Sequence, residues 1–395
     1  MRSFSLPIRF VLFSSFFMTL GHFAVMAFLA IYLSNFLHFS AMQVGTILTA
    51  LTITSRIFPL LTGILADRIG YITMMITGMI LRGIGFLSLG IFSGFHPIML
   101  ATIFIGFGTA FYEPSARAVF GSQPAHIRKD TFTYLNLFLN GGAIIGPIAG
   151  SILLQWNPMY PFIFTGSLMF VLAFLFFLLR SHFHVTVHKT QLLTGIKAAG
   201  QNKHFLSFSF IMVFFYTMFT QLTVALPLHM NNISHDQNLV GLVITTNAIT
   251  GFLFMIVFKY LFKKYHALSL VKYGVLLMGL SFLLIPFSFH PNWLLVCVIL
   301  FTIGETLVLP NADIAVANFS NEQYTATYFG FFQLSLALGF TIGNYTGTFF
   351  TKYWQNMSFP WIIFGLLGIV GFSLLHFLNR TVKIDENLLH INQSM

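Results

Sequence analysis

The chain has nine acidic residues among 395, so any proton-linked chemistry must draw on a short list. Asp67, Asp130, Glu322, Asp385 and Glu386 fall in polar connections or the C-terminal tail, and Asp236 in another connection. Glu113, Glu305 and Asp313 remain inside long apolar runs. A carboxylate placed there is costly unless it meets water or a partner, which makes it a functional candidate by default. Glu305, flanked by Gly304 and Pro310 near the middle of its run, is the first choice for proton coupling. The alternative is a protonated Glu that only bridges helices at the bend. Glu113 precedes Arg117 by four residues, the helical spacing at which opposite charges meet, which suits a salt bridge as well as a relay. His22, mid-way along the first apolar run, can change charge near neutral pH, although a lone His often serves packing. Arg56 and Arg82 are cations inside apolar runs; Arg82 reads as a structural anchor.

No nucleophile–base pair, phosphate-binding loop or metal-ligand cluster stands out, so the chain does not read as an enzyme, and no cofactor or metal is expected. The nearest metal-like spacing, His182-x-His184-x3-His188, lies in a polar connection. A G-x4-G-K-[ST] loop is missing, which argues against ATP-driven work. The one cysteine, Cys297, excludes an intrachain disulfide.

The elements that must hold these residues are membrane-spanning. The chain is 57% hydrophobic and 7% charged, with a mean hydropathy of +0.85. A spanning helix takes about 20 mostly apolar residues. Such runs lie near 10–33, 41–64, 72–93, 97–117, 132–155, 161–180, 205–229, 239–260, 268–289, 293–315, 325–350 and 358–379. They lack period-two alternation and therefore predict an all-α membrane protein of twelve transmembrane helices. With both termini cytoplasmic, sixteen of the nineteen Lys and Arg fall on the cytoplasmic side, from Arg2 and Arg9 to Arg380 and Lys383. That bias is the positive-inside rule. The formal charge of +10 is thus a topology signal that calls for no nucleic-acid partner.

The longest polar connection divides the chain into a six-helix bundle at 1–180, a linker at 181–204, a second bundle at 205–380 and a tail at 381–395. The halves match at a shift of 196 or 197 residues: Gly78 with Gly274, Gly108 and Pro114 with Gly304 and Pro310, and Gly142-x3-Gly146-x3-Gly150 with Gly339-x3-Gly343-x3-Gly347. Two pseudo-symmetric bundles follow. The charges are swapped across the repeat, since Asp67 corresponds to Lys263 and Arg117 to Asp313. Such a swap suits pairing at a gate, while the lysines also simply obey the positive-inside rule. Asp130, opening the fifth run, reads as a gate residue or a helix cap.

Gly63-Ile64-Leu65-Ala66-Asp67-Arg68-Ile69-Gly70 lies between the second and third runs. It resembles the hallmark loop of the major facilitator superfamily. Thr77–Phe86, Gly106–Arg117, Thr327–Gly330 and Pro360-Trp361 resemble the MdtH-type multidrug efflux group of drug:proton antiporters. The resemblance implies a gating role for Gly63, Asp67, Arg68, Gly70, Arg117 and Asp130, with Asp67 meeting the N-terminal end of the eleventh helix. It also implies that Gly142, Gly146, Pro147 and Gly150 are the antiporter motif of the fifth helix, although spacing alone equally fits close packing. The chain departs from the family pattern where Tyr71 and Ile72 replace a basic pair, and where Thr102 stands near an arginine common in the fourth helix of drug antiporters. On this fold, Tyr216, Gln221, Asn136, Asn140, Phe329, Phe332 and Gln333 offer aromatic and hydrogen-bonding groups to a small-molecule substrate, amphipathic and in some cases cationic.

The function expected is proton-coupled efflux of amphipathic molecules by a monomer in a bacterial cytoplasmic membrane. A dedicated metabolite or siderophore exporter, a nutrient symporter or facilitator, and a non-transporting receptor or scaffold are the alternatives.

Overall fold

The computed structural model describes residues 4–183, 194–234, 237–353 and 358–394. His184, His188, Lys189, Asp236 and Arg2 lie outside the described residues, so the histidine spacing noted above has no structural account. Among the described residues the regular structure is helical throughout. The helices are α1 Leu6–Ile31, α2 Ala41–Arg56, α3 Pro59–Ile69, α4 Tyr71–Ile91, α5 Phe95–Gly121, α6 Ala125–Trp156, α7 Tyr160–Leu179 and α8 Thr194–Gln201. They continue as α9 Lys203–Thr220, α10 Ala225–Ser234, α11 Gln237–Val257, α12 Lys259–Lys264, α13 Ala267–Leu284, α14 Pro291–Phe319, α15 Thr325–Tyr353 and α16 Phe359–Ser394.

Eleven helical stretches are long and apolar enough to span a membrane, and the bent pair α2–α3 brings the number to twelve. That pair turns by 40° at Ile57–Phe58, where Pro59 enters at the first turn of α3. A proline ring cannot continue the preceding ladder, so a run apolar from end to end still breaks there. Asp67 and Arg68 occupy the last turn of α3, and the turn proper is Gly70 alone, with φ 105°. Only glycine enters that region freely. The tight Gly-bounded loop anticipated from Gly63 to Gly70 is therefore mostly helix.

The chain forms two compact units, one of residues 1–199 with 320–334, the other of residues 200–319 with 335–395. Within the first, α4 crosses α5 where a Cβ on Gly78 would stand 2.6 Å from the Gly108 carbonyl. Within the second, α13 crosses α14 where a Cβ on Gly274 would stand 2.6 Å from the Gly304 carbonyl. The same correspondence holds for the glycine ladders. Gly142, Gly146 and Gly150 of α6 lie on the Phe16, Leu20 and Ala24 backbone of α1. Gly339 and Gly343 of α15 lie on the Val213 and Thr217 carbonyls of α9, and Gly347 lies against Gln221. Small residues let backbones approach, and this is the packing available where lipid offers no hydrophobic drive between helices. Pro147 sits inside α6, as Pro114 and Pro310 sit inside α5 and α14.

Candidate functional site

Asp67 is 5% exposed at the end of α3. Its Oδ1 accepts the Ala326 N–H at 3.0 Å and its Oδ2 accepts the Thr327 N–H at 2.8 Å. The Thr327 hydroxyl donates to Oδ2 at 2.6 Å, and the Tyr71 hydroxyl donates to Oδ1 at 2.9 Å. Ala326 and Thr327 are the second and third residues of α15, whose first N–H groups have no intrahelical acceptors and carry the positive end of the helix dipole. One buried carboxylate thus satisfies two of them. Gly63, one turn earlier on α3, lies against the Ala326 carbonyl, and Gly330 lies against Pro59, so α3 and the opening of α15 meet backbone to backbone. Arg68 is exposed beside this contact.

Glu113 gathers a second cluster in the same unit. Its Oε2 stands 3.3 Å from Arg117 Nη1, 3.9 Å from Arg56 Nη1 and 3.2 Å from Gln333 Nε2. The i,i+4 pair read from the sequence is present, and Arg56, at the end of α2 beside the bend, joins it. On the preceding residue, the Tyr112 hydroxyl lies 3.0 Å from Ser14 Oγ and 3.2 Å from Ser15 Oγ. His22 keeps its Nδ1 buried without a hydrogen-bond partner.

Glu305 belongs to the other unit. It is 8% exposed on α14, and Asn247 of α11 donates Nδ2 to its Oε2 at 2.6 Å and to Thr302 Oγ1 at 2.9 Å. No cation lies within ion-pair distance of Glu305 among the described residues, so a neutral amide is what holds it. Asp313, also buried, stands two turns further along α14.

The residues read as substrate contacts have varied surroundings. Gln221 is fully buried and donates Nε2 to the Thr217 and Gly343 carbonyls, which ties the end of α9 to α15. Asn136 donates to the Phe132 carbonyl of its own helix, and Asn140 is half-buried on the same helix. Gln333 serves Glu113, Phe329 packs on Phe132 with ring centroids 5.9 Å apart, and Phe332 and Tyr216 are buried. The capping reading of Asp130 is corrected. Helix α6 begins at Ala125 with Pro124 as its cap residue, so Asp130 sits inside the helix and its side chain cannot serve the first turn.

Three partners had no role in the sequence reading: Thr327, Tyr71 and Asn247. Tyr71 follows Asp67 by four residues, but Gly70 ends α3 between them, so the helical spacing rule does not cover the pair. Asn247 is a lone amide in an apolar run, which is the same signal that marks Glu305.

The family model of the Major Facilitator Superfamily matches residues 11–234 and 206–390. The chain belongs to this superfamily. It is a multi-pass integral membrane transporter for small molecules. It is similar to the multidrug resistance protein MdtH of Blochmanniella floridana, 26% identical over 96% of both chains. The MdtH of Photorhabdus laumondii is likewise 26% identical, over 98% of both. Among solved structures, a variant of the E. coli fucose:proton symporter FucP superposes with TM-score 0.77 at 14% identity, covering 95% of this chain and 99% of that one. The human organic anion transporter MFSD10 gives 0.74 at 14% identity, over 93% and 98%. At these identities the two structures bear on the fold alone. The Gly63–Gly70 segment falls within the residues that the family model matches.

Proposed function

We propose that this transporter is a proton-coupled efflux antiporter that exports amphipathic small molecules by alternating access from a bacterial cytoplasmic membrane. The observation that carries the reading is Glu305, a carboxylate inside a membrane-spanning helix held only by the Asn247 amide among the described residues. A group so placed can give up its proton to one route and its neighbourhood to a solute. The near full-length similarity to MdtH proteins supports multidrug substrates and efflux over uptake. In this reading Asp67, with Arg68, Gly63, Gly70 and Thr327, latches one state of the cycle through the N-terminus of α15. Glu113, Arg117, Asp130, Asp313 and His22 are assigned to gate and relay roles, and Gly142, Gly146, Pro147 and Gly150 to the tight α6–α1 seam that an antiporter keeps closed. Tyr216, Asn136, Asn140, Phe329, Phe332, Gln333 and Gln221 are the proposed substrate-lining set. The protein works as a monomer with both termini cytoplasmic.

Everted membrane vesicles test the direction of transport. An imposed acidic interior should drive uptake of amphipathic dyes into vesicles carrying the protein and not into control vesicles. Dye uptake only under the opposite gradient would identify a symporter instead.

A further inference from the structure

Arg82 sits at the midpoint of α4, in the bilayer-spanning part of the first unit, and is 4% exposed. Its aliphatic stem packs on Gly108, where a Cβ would meet Arg82 Cγ at 2.5 Å. Its Nε and Nη2 are buried and have no hydrogen-bond partner. Those two nitrogens form one edge of the guanidinium, the edge whose parallel N–H groups receive both oxygens of a carboxylate. The Nδ1 of His22, which lies within electrostatic range of Arg82, is also buried and unpartnered. Glu113 is within electrostatic range too, but its ion-pair contacts are with Arg56 and Arg117.

The internal repeat shows that packing does not require this charge. At the shift of 196 residues Arg82 corresponds to Met278, and a Cβ on Gly304 would meet Met278 Cγ at 2.8 Å in the matching crossing of α13 with α14. Tyr112, whose hydroxyl meets Ser14 and Ser15, corresponds to Val308. The same architecture is thus built once with an unbranched apolar side chain and once with a guanidinium. The Arg82 guanidinium lies 5.8 Å from the Phe86 ring centroid, but a ring face does not take up the N–H groups of the buried edge. A buried cation with open donors is expensive and persists where something else pairs with them.

We propose that the Nε–Nη2 edge of Arg82 is a binding site for an acidic oxygen group, a carboxylate in the first instance, carried by the transported molecule. The preferred substrates are then amphipathic acids and zwitterions, which rests on the transport reading above.

A matched pair of dyes tests this by equilibrium binding to the purified full-length protein in detergent, with no gradient imposed. Rhodamine B carries a free carboxylate, and its ethyl ester presents the same ring system without it. Wild type should bind rhodamine B more tightly than the ester by roughly ten- to a hundredfold, the worth of a charge-assisted hydrogen-bonded pair. Arg82→Met, which installs the residue of the other repeat, should lose that preference while keeping its affinity for the ester. Arg82→Lys should restore part of it. Equal affinity of wild type for the two dyes, failure to bind either, or a preference that survives in Arg82→Met would overturn the site. Selective binding of the acid without proton release would keep the site and sink proton antiport, so the two readings fail separately.

Discussion

The Asp67 carboxylate at the end of α3 accepts both the backbone N–H and the hydroxyl of Thr327, the third residue of α15, at 2.8 Å and 2.6 Å. The acceptor is charged, the donors sit at a helix N-terminus, and water is excluded, which are the conditions under which such bonds are strongest. Asp67→Asn keeps the shape but removes the charge and one acceptor. Transport should fall by about tenfold or more, since a charge-assisted bond is worth about 1.5–3 kcal/mol. Thr327→Val, which leaves the N–H contact intact, should cost less, and Tyr71→Phe less again. Dye efflux at matched protein levels measures the order. A Tyr71→Phe defect as deep as that of Asp67→Asn would show that the helix terminus is not what matters.

Glu113 distinguishes a structural from a relay role. It is partly exposed, so its ion pairs are screened, and Glu113→Gln should lower stability by about 1 kcal/mol. Thermal unfolding in detergent reads that loss, and Arg117→Gln in the same chain should restore part of it. Normal stability with proton release abolished would instead make Glu113 part of the proton path.

The glycine ladders predict graded intolerance. Valine at Gly146 or Gly343 meets the Leu20 or Thr217 carbonyl and should destabilise by about 1–3 kcal/mol, as overpacking does. Alanine at Gly241, where nothing lies within 4 Å, should be neutral. Melting temperatures of the three variants decide this. Equal tolerance at all three positions would contradict the seam.

These sites were unequally legible in the chain. Gly142, Gly146 and Gly150 declare themselves by spacing, as do Glu113 and Arg117, because helical neighbours recur at three and four residues. The contact of Asp67 with Thr327 joins residues 260 positions apart, and the contact of Asn247 with Glu305 residues 58 apart. No local pattern encodes such pairs; the resemblance to a family supplied the first, and nothing supplied the second. Apolarity also blurs boundaries. The run at 41–64 reads as one span because Ile57, Phe58 and Pro59 are all apolar, yet Pro59 breaks it. In α6 the polar stretch Arg128-Lys129-Asp130 is already helical, so an apolar count places the helix start too late and turns an interior Asp130 into a cap.

The measurement closest to the central claim is substrate-induced proton release from the purified protein in weakly buffered detergent solution, wild type against Glu305→Gln, with Asn247→Leu as a second variant. Several unrelated amphipathic compounds should each release protons from wild type. Glu305→Gln should release none while still binding them, and Asn247→Leu should release fewer per bound molecule. Undiminished release from Glu305→Gln would move the coupling to another group, and binding to wild type without any release would contradict proton antiport itself.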